Sequence, residues 1–333
     1  MKKAAVLFFS ERGKALSERI AASLAGDYEV YSLSPLGDLK ETTGRLFAKC
    51  EAVIFACACG IAVRAIAPFV ISKTTDPAVV VVDELGRHAI SLLSGHIGGA
   101  NELTLRIASA IGADPVITTA TDVNGRFSVD AWAAKNGLLI DSMELAKYFS
   151  AEILRRDLPI YSELPTEGEL PPGIELAQTG DLGAAVTYRK IHPYLHTLRL
   201  IPRVLHLGIG CRRGTPQETI AQVVAETLEE YAIDPRAVAA AASIDVKADE
   251  EGLLAFARSW NIPALFYSAQ QLMQAPGEYT ASSFVQERVG VDNVCERAAV
   301  LSAGAGSVLI IKKTAVNGVT VALAQEYRRI RFE

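Results

Sequence analysis

The chain has 333 residues, half of them apolar and 21% charged, with a net charge of −5. Those values exclude a disordered chain and favour two or three well-cored domains. The acidic balance, with no basic stripe interleaved with aromatics, argues against nonspecific nucleic-acid binding. No uncharged run reaches the ~18 residues that a membrane span needs.

In chain order, residues 3–9 read as a buried strand. The apolar run stops at Phe9 ahead of Glu11 and Arg12, too short for an export signal. Ser10 is placed to cap a helix of about 15 residues with Leu16, Ile20 and Leu24 on one face. A strand at 28–33, an apolar run at 50–56 and a helix from Gly60 that Pro68 punctuates continue the alternation. The pattern predicts an α/β fold, a doubly wound, mostly parallel three-layer module. Four consecutive valines, 79–82, suit a central strand buried on both faces. Asp83 and Glu84 stand at its carboxyl end, where open α/β sheets place ligands. After a turn at 85–87 comes a strand over 89–93, and then Ser94-Gly95-His96-Ile97-Gly98-Gly99. That stretch leads into a helix whose apolar positions 100, 103, 107, 108 and 111 share a face. A strand at 114–118 ends in a polar loop, 118–125.

Helices are expected near 129–136 and 142–155. Residues 158–181 carry four prolines and five acids with no basic residue, which reads as a connecting subdomain or exposed linker. A second α/β module opens with a strand at 203–207, feeding Gly208-Ile209-Gly210-Cys211-Arg212-Arg213-Gly214. Thr215 as N-cap, Pro216 at the first helical position and Glu218 give a helix start, and 220, 223, 224, 227, 228 and 231 trace its buried face. A helix at 250–260, a strand at 263–267 and a terminal hairpin turning at Asn317-Gly318 complete the chain. The expected domains are 1–126, 127–202 and 203–333.

Five scattered cysteines suggest no disulfide framework and a cytoplasmic protein with reduced thiols. Cys57 and Cys59 on one strand would present both sulfurs to one face, which could suit a soft metal. With no second ligand pair in reach, small core residues are preferred and no metal site is expected. The 208–214 glycines are spaced neither as a dinucleotide fingerprint nor as a Walker loop. Amides at a helix start beside Arg212 and Arg213 could still hold an anion, or the arginines could form a solvated turn. In the first module the candidate catalytic groups are His96, Asp83, Glu84 and Asp122. An Asp beside His96 would orient its ring as a general base. Ser94, sharing a face with His96 on an extended segment, could be nucleophile or hydrogen-bond donor. The glycines could equally make only a tight strand-to-helix turn. His206 reads as structural.

DPAVVVVDE (76–84), ISLLSGHIGGAN (90–101) and PVITTATDVNG (115–125) resemble the N-terminal signature of the CbiG family of anaerobic cobalamin biosynthesis. LGIGCRRGT (207–215), SIDVKADE (243–250) and the terminal KK…GVTVA region resemble its C-terminal part. The resemblance spans nearly the whole chain, with 126–200 less distinctive. It implies cobalt-precorrin-5A hydrolase activity: a δ-lactone on a cobalt-bound macrocycle is opened, and acetaldehyde is lost. No added cofactor is implied, because cobalt arrives with the substrate. A large carboxylate-fringed ring would suit a cleft lined by Arg64, Arg87, Arg126, Arg212 and Lys247. Substrate contacts are also expected from Ser94, Gly98, Gly99, Asn101, Thr119, Asn124, Gly208, Gly210, Cys211 and Thr215, with the Gly98 and Gly99 amides as oxyanion donors. Neighbouring pathway enzymes and a second copy of the chain are open as partners; nucleic acid and membrane are not expected. The alternatives are a non-catalytic tetrapyrrole carrier and, on the 208–214 loop alone, a nucleotide-dependent enzyme.

Overall fold

The computed structural model describes residues 1–35, 37–72, 75–281 and 290–332. They form two compact units, one of residues 1–134 and 153–156, the other of 135–152 and 157–333. Among the described residues no helix is long and apolar enough to cross a membrane.

The first unit holds β1 (Lys2–Phe8), α1 (Glu11–Leu24), β2 (Tyr28–Leu33), α2 (Leu39–Lys49), β3 (Ala52–Ala56) and α3 (Cys59–Ile66). After them come β4 (Ala78–Val82), β5 (His88–Leu93), α4 (Ala100–Ile111), β6 (Asp114–Val116), α5 (Ala120–Val123) and α6 (Val129–Lys135). The sheet order is β2-β1-β3-β4-β5-β6. Neighbours run parallel except β4 and β5, which form an antiparallel pair. Alternate strand residues feed two cores. Val80 and Val82 join Leu16, Ile20, Leu103 and Ile107 of α1 and α4, while Val79 and Val81 join Ala62 and Ile66 of α3. Burying a side chain such as Ile20 or Ile107 fully contributes about 1.5–3 kcal/mol. Ser10 caps α1 by accepting the Gly13 amide at 3.1 Å.

The β4–β5 reversal fixes where everything downstream lies. Leu93 pairs with Val79 at the start of β4, and Ala89 with Val82 at its end. Residues following β5 therefore emerge at the edge of the sheet opposite to Asp83 and Glu84, about 20 Å away for a six-residue strand. The ladder slips by one residue near the β5 terminus, since Val80 pairs with Ser91 but Val79 with Leu93. Leu92 and Leu93 consequently pack against the same core. The expected 118–125 loop contains the single-turn helix α5, closed by Asn124 Nδ2 donating to the Ala120 carbonyl at 2.8 Å. Cys57 ends its strand region in the core and Cys59 opens α3, so the two do not share a strand.

The second unit continues with β7 (Leu138–Ile140), α7 (Met143–Glu152), β8 (Leu158–Ser162), β9 (Thr166–Glu167), β10 (Ile174–Leu176), β11 (Leu182–Val186) and β12 (His196–Pro202). Residues 158–181 are thus not a linker. They supply strands to a sheet of order β10-β8-β11-β12-β7, and the prolines sit at strand edges and turns where no ladder donor is missed. Next come β13 (Leu205–Cys211), α8 (Gln217–Glu230), β14 (Val238–Ile244), α9 (Glu251–Ser259), β15 (Ala264–Tyr267) and α10 (Ala269–Met273). The unit closes with α11 (Val294–Ala303), β16 (Val308–Val316), β17 (Val319–Gln325) and β18 (Ile330–Arg331). The sheet β15-β14-β13-β17-β16 is parallel through β13–β15 and antiparallel at β17. Asn317 and Gly318 both take positive φ, as a two-residue hairpin turn requires. Thr215 is not the cap of α8. Its hydroxyl donates to the Arg212 carbonyl at 2.7 Å, and Pro216 takes the cap position. Tyr231 closes the helix and is exposed rather than on its buried face.

Candidate active site

His96 is the centre of a polar cluster that borders a cavity in the first unit. The turn that holds it is built from steric necessities. Ser94 adopts φ +57°, a conformation that costs a non-glycine residue about 1–2 kcal/mol. A Cβ at Gly98 would come within 2.4 Å of the Ser94 Cβ, and one at Gly95 within 2.7 Å of Asn101 Oδ1. Gly99 sits at φ +82°, open to glycine without strain. Three backbone bonds lock the turn onto α4: Gly99 N–H to the His96 carbonyl (2.9 Å), Ala100 N–H to Ser94 (3.1 Å) and Asn101 N–H to Gly95 (2.9 Å). The Gly99 amide is thereby used, so the expected pair of glycine oxyanion donors does not form. Nor is Ser94 extended, as sharing a face with His96 would need.

His96 is held between two carboxylates. Nε2 lies 2.6 Å from Asp122 Oδ2, and Nδ1 lies 3.2 Å from Asp130 Oδ1 and 2.8 Å from Ser128 Oγ. Ser128 also donates to Asp130 at 2.8 Å. Burial of the ring works against its charged form, but the bonds and charges of Asp130 and Asp122 outweigh it and raise the His96 pKa above the ordinary 6.5. Both ring nitrogens are therefore engaged. The open end of the line is Asp122, whose side chain is 38% exposed against 7% for Asp130.

Asn101 steadies this end. Its Nδ2 donates to Asp122 Oδ2 and Thr119 Oγ1, each at 3.1 Å, and its Oδ1 accepts from Ser91 Oγ at 2.6 Å. Ser94, Gly95, His96, Ile97, Thr119 and Asp130 line a cavity of about 210 Å3. That is smaller than the ~300–1,000 Å3 of whole-ligand pockets, so it can admit an edge of a large substrate.

Asp83 and Glu84 lie elsewhere. Asp83 closes the β4–β5 turn by accepting the Leu85 and His88 amides at 2.9 and 2.6 Å. Burial opposes its ionisation, yet those amides hold its carboxyl below the usual range. Glu84 accepts from the Ser10 hydroxyl. Asp130 and Ser128 were not singled out from the sequence, nor was Thr121, whose Oγ1 lies 3.4 Å from His96 Nε2. The available signal was an acid among the buried positions Val129, Trp132 and Ala133 of an apolar helix.

In the second unit, Gly208 and Gly210 serve packing. A Cβ on Gly208 would meet the Cys295 carbonyl at 1.7 Å, and one on Gly210 would meet Thr320 Oγ1 at 2.5 Å. The Gly214 amide donates to Glu250 Oε1 at 2.7 Å, and Lys247 Nζ pairs with Glu250 Oε2 at 3.2 Å. The amide and the lysine expected to hold an anion thus already have one from the protein. Arg213 pairs with Asp249 at 3.0 Å, while burial pushes the Cys211 thiol pKa up. Arg64 and Arg212 make no ion pair among the described residues.

A family model described as "Cobalamin synthesis G N-terminal" matches residues 41–122, and one described as "Cobalamin synthesis G C-terminus" matches residues 205–324. The first match takes in His96 and ends on Asp122. The protein named "Cobalt-precorrin-5A hydrolase" from Salmonella typhimurium is 36% identical, over 86% of this chain and 85% of its own. One of the same name from Priestia megaterium is 34% identical, over 86% and 82%. "Protein CobE" from Sinorhizobium sp is 36% identical over 36% of this chain and 79% of its own.

Proposed function

The chain belongs to the CbiG family of cobalamin synthesis, and from that premise we propose that it hydrolyses cobalt-precorrin-5A in the His96 site. The enzyme opens the δ-lactone of the cobalt-bound macrocycle and releases acetaldehyde. The observation that carries the assignment to this site is the line Asp122–His96–Asp130, whose His96 sits on the strained turn and lines the cavity together with Asp130. It is an acid/base unit with one end open to a substrate.

In this reading Asp122, not His96, meets the water. Its Oδ2 is held by His96 and Asn101, which leaves Oδ1 to accept a proton. Water adds to the lactone carbonyl carbon as its proton passes to Asp122. The tetrahedral adduct then collapses, the ring C–O bond breaks, and Asp122 returns the proton to the departing alkoxide. In the second step Asp122 takes the hydroxyl proton. The C–O bond becomes a carbonyl, the adjacent C–C pair goes to the macrocycle, and a proton replaces the lost carbon. Acetaldehyde leaves. His96, charged between two carboxylates, keeps Asp122 oriented throughout, and the cobalt comes with the substrate.

Incubation with cobalt-precorrin-5A tests this directly. Wild type is expected to release one equivalent of acetaldehyde, and Asp122→Asn to lose about 10²–10⁴-fold in kcat. A carrier would bind the macrocycle and release none.

A further inference from the structure

We propose that the Ser94 hydroxyl is the donor that stabilises the oxyanion of lactone opening. This rests on the functional reading above and assigns a role that the Asp122–His96–Asp130 line leaves open. Ser94 is 8% exposed and lines the His96 cavity, and its Oγ is buried without a hydrogen-bond partner among the described residues. A buried hydroxyl ordinarily finds a partner in its own protein. This one is held in place by a backbone conformation that serine avoids, with Gly98 closed against its Cβ.

The surrounding groups narrow the role. Ser94 has no base beside it to make it a nucleophile, because the ring nitrogens of His96 are taken by Asp122, Asp130 and Ser128. The Gly99 amide is spent on the His96 carbonyl, which leaves Gly98 alone of the expected glycine pair beside Ser94. A hydroxyl with no protein partner has no bond to give up when it turns to meet charge that develops only during reaction, so little must reorganise. As water adds and its proton passes to Asp122, the carbonyl π pair moves to oxygen, and that oxygen accepts the Ser94 O–H bond. The bond weakens again when the carbonyl re-forms and the ring C–O bond breaks. Ser94 gains and loses no atoms.

Ser94→Gly is the sharpest test, because glycine takes φ +57° without strain and also removes the unpaired hydroxyl. The expected result is a variant that melts no lower than wild type, with kcat down about 10²–10³-fold and KM little changed. Ser94→Ala should show the same loss of kcat with a melting temperature below that of Ser94→Gly, because alanine keeps the strained φ. A purely structural serine would instead give Ser94→Gly near-wild-type turnover. Acetaldehyde release by wild type, matched within threefold by Ser94→Gly, overturns the Ser94 assignment alone. No release by wild type overturns the functional reading on which it rests.

Discussion

Two histidines, one in each unit, show how the same side chain is set to opposite tasks. His96 stands on a turn after a strand, with Asp122 at 2.6 Å on one nitrogen and Asp130 with Ser128 on the other. His206 stands inside β13, with Ser302 Oγ at 2.7 Å and a single carboxylate, Glu326, at 3.4 Å. Burial opposes the charged ring in both. At His96 two carboxylates outweigh it and the pKa rises, whereas at His206 burial outweighs Glu326 and the pKa falls. Proximity to a second carboxylate decides the sign. The first site favours a charge next to a cavity, and the second favours a neutral ring inside a wall.

The largest expected effect separates them outright. His96→Ala should lower kcat for acetaldehyde release by about 10³-fold. His206→Ala should leave kcat alone and cost about 1–3 kcal/mol in chemical denaturation, through the partners it orphans. Asp130→Asn tests the sign rule. It should pull the His96 pKa down, visible by NMR titration, and slow turnover by about 10–100-fold. Next, Gly98→Ala should lower stability by about 1–3 kcal/mol and displace Ser94, because its Cβ has no room.

The pH dependence of stability should also split. His96, with a raised pKa, contributes stability that is complete below about 6.5 and lost as pH rises through its folded value. His206, with a lowered pKa, contributes stability present above about 6.5 and lost as pH falls towards its folded value. Thermal melts of His96→Gln and His206→Gln across pH 5–8 should therefore change slope in opposite directions. The smallest effect is expected at Asp83→Asn and Glu84→Gln. They lie on the far edge of the sheet, so kcat should stay within about twofold. A large loss at either would break the separation of the two edges.

Most of the first unit was legible because period and punctuation agree there. Ser10 capped its helix, four valines made a strand buried on both faces, and the glycines after Ser94 marked a real turn. What misled was direction. A short connection after Val82 does not say whether the next strand continues or reverses, and the reversal carried Asp83 and Glu84 away from His96. Asp130 was missed because hydrophobic periodicity registers the apolar neighbours of a buried acid and not the acid itself. In the middle region, proline and acid content masked strands whose burial depends on long-range pairing. In the GIGCRRGT loop, Gly208 answers to Cys295 of α11 and Gly210 to Thr320 of β17, far along the chain, which local reading cannot anticipate.

The extra residue near the end of β5 works as a spacer. Because Leu92 and Leu93 turn to the same core, Ser91 faces Asn101 while Ser94 begins the turn on that same side. Removing Ile90 would let the ladder close without the bulge and keep every site residue, yet would turn Ser91 away from Asn101, whose Nδ2 steadies Asp122. The placement of the acid/base line thus depends on residue count along one edge as much as on the chemistry of its members. Among natural variants, a length change in β5 should be harder to accept than a substitution there.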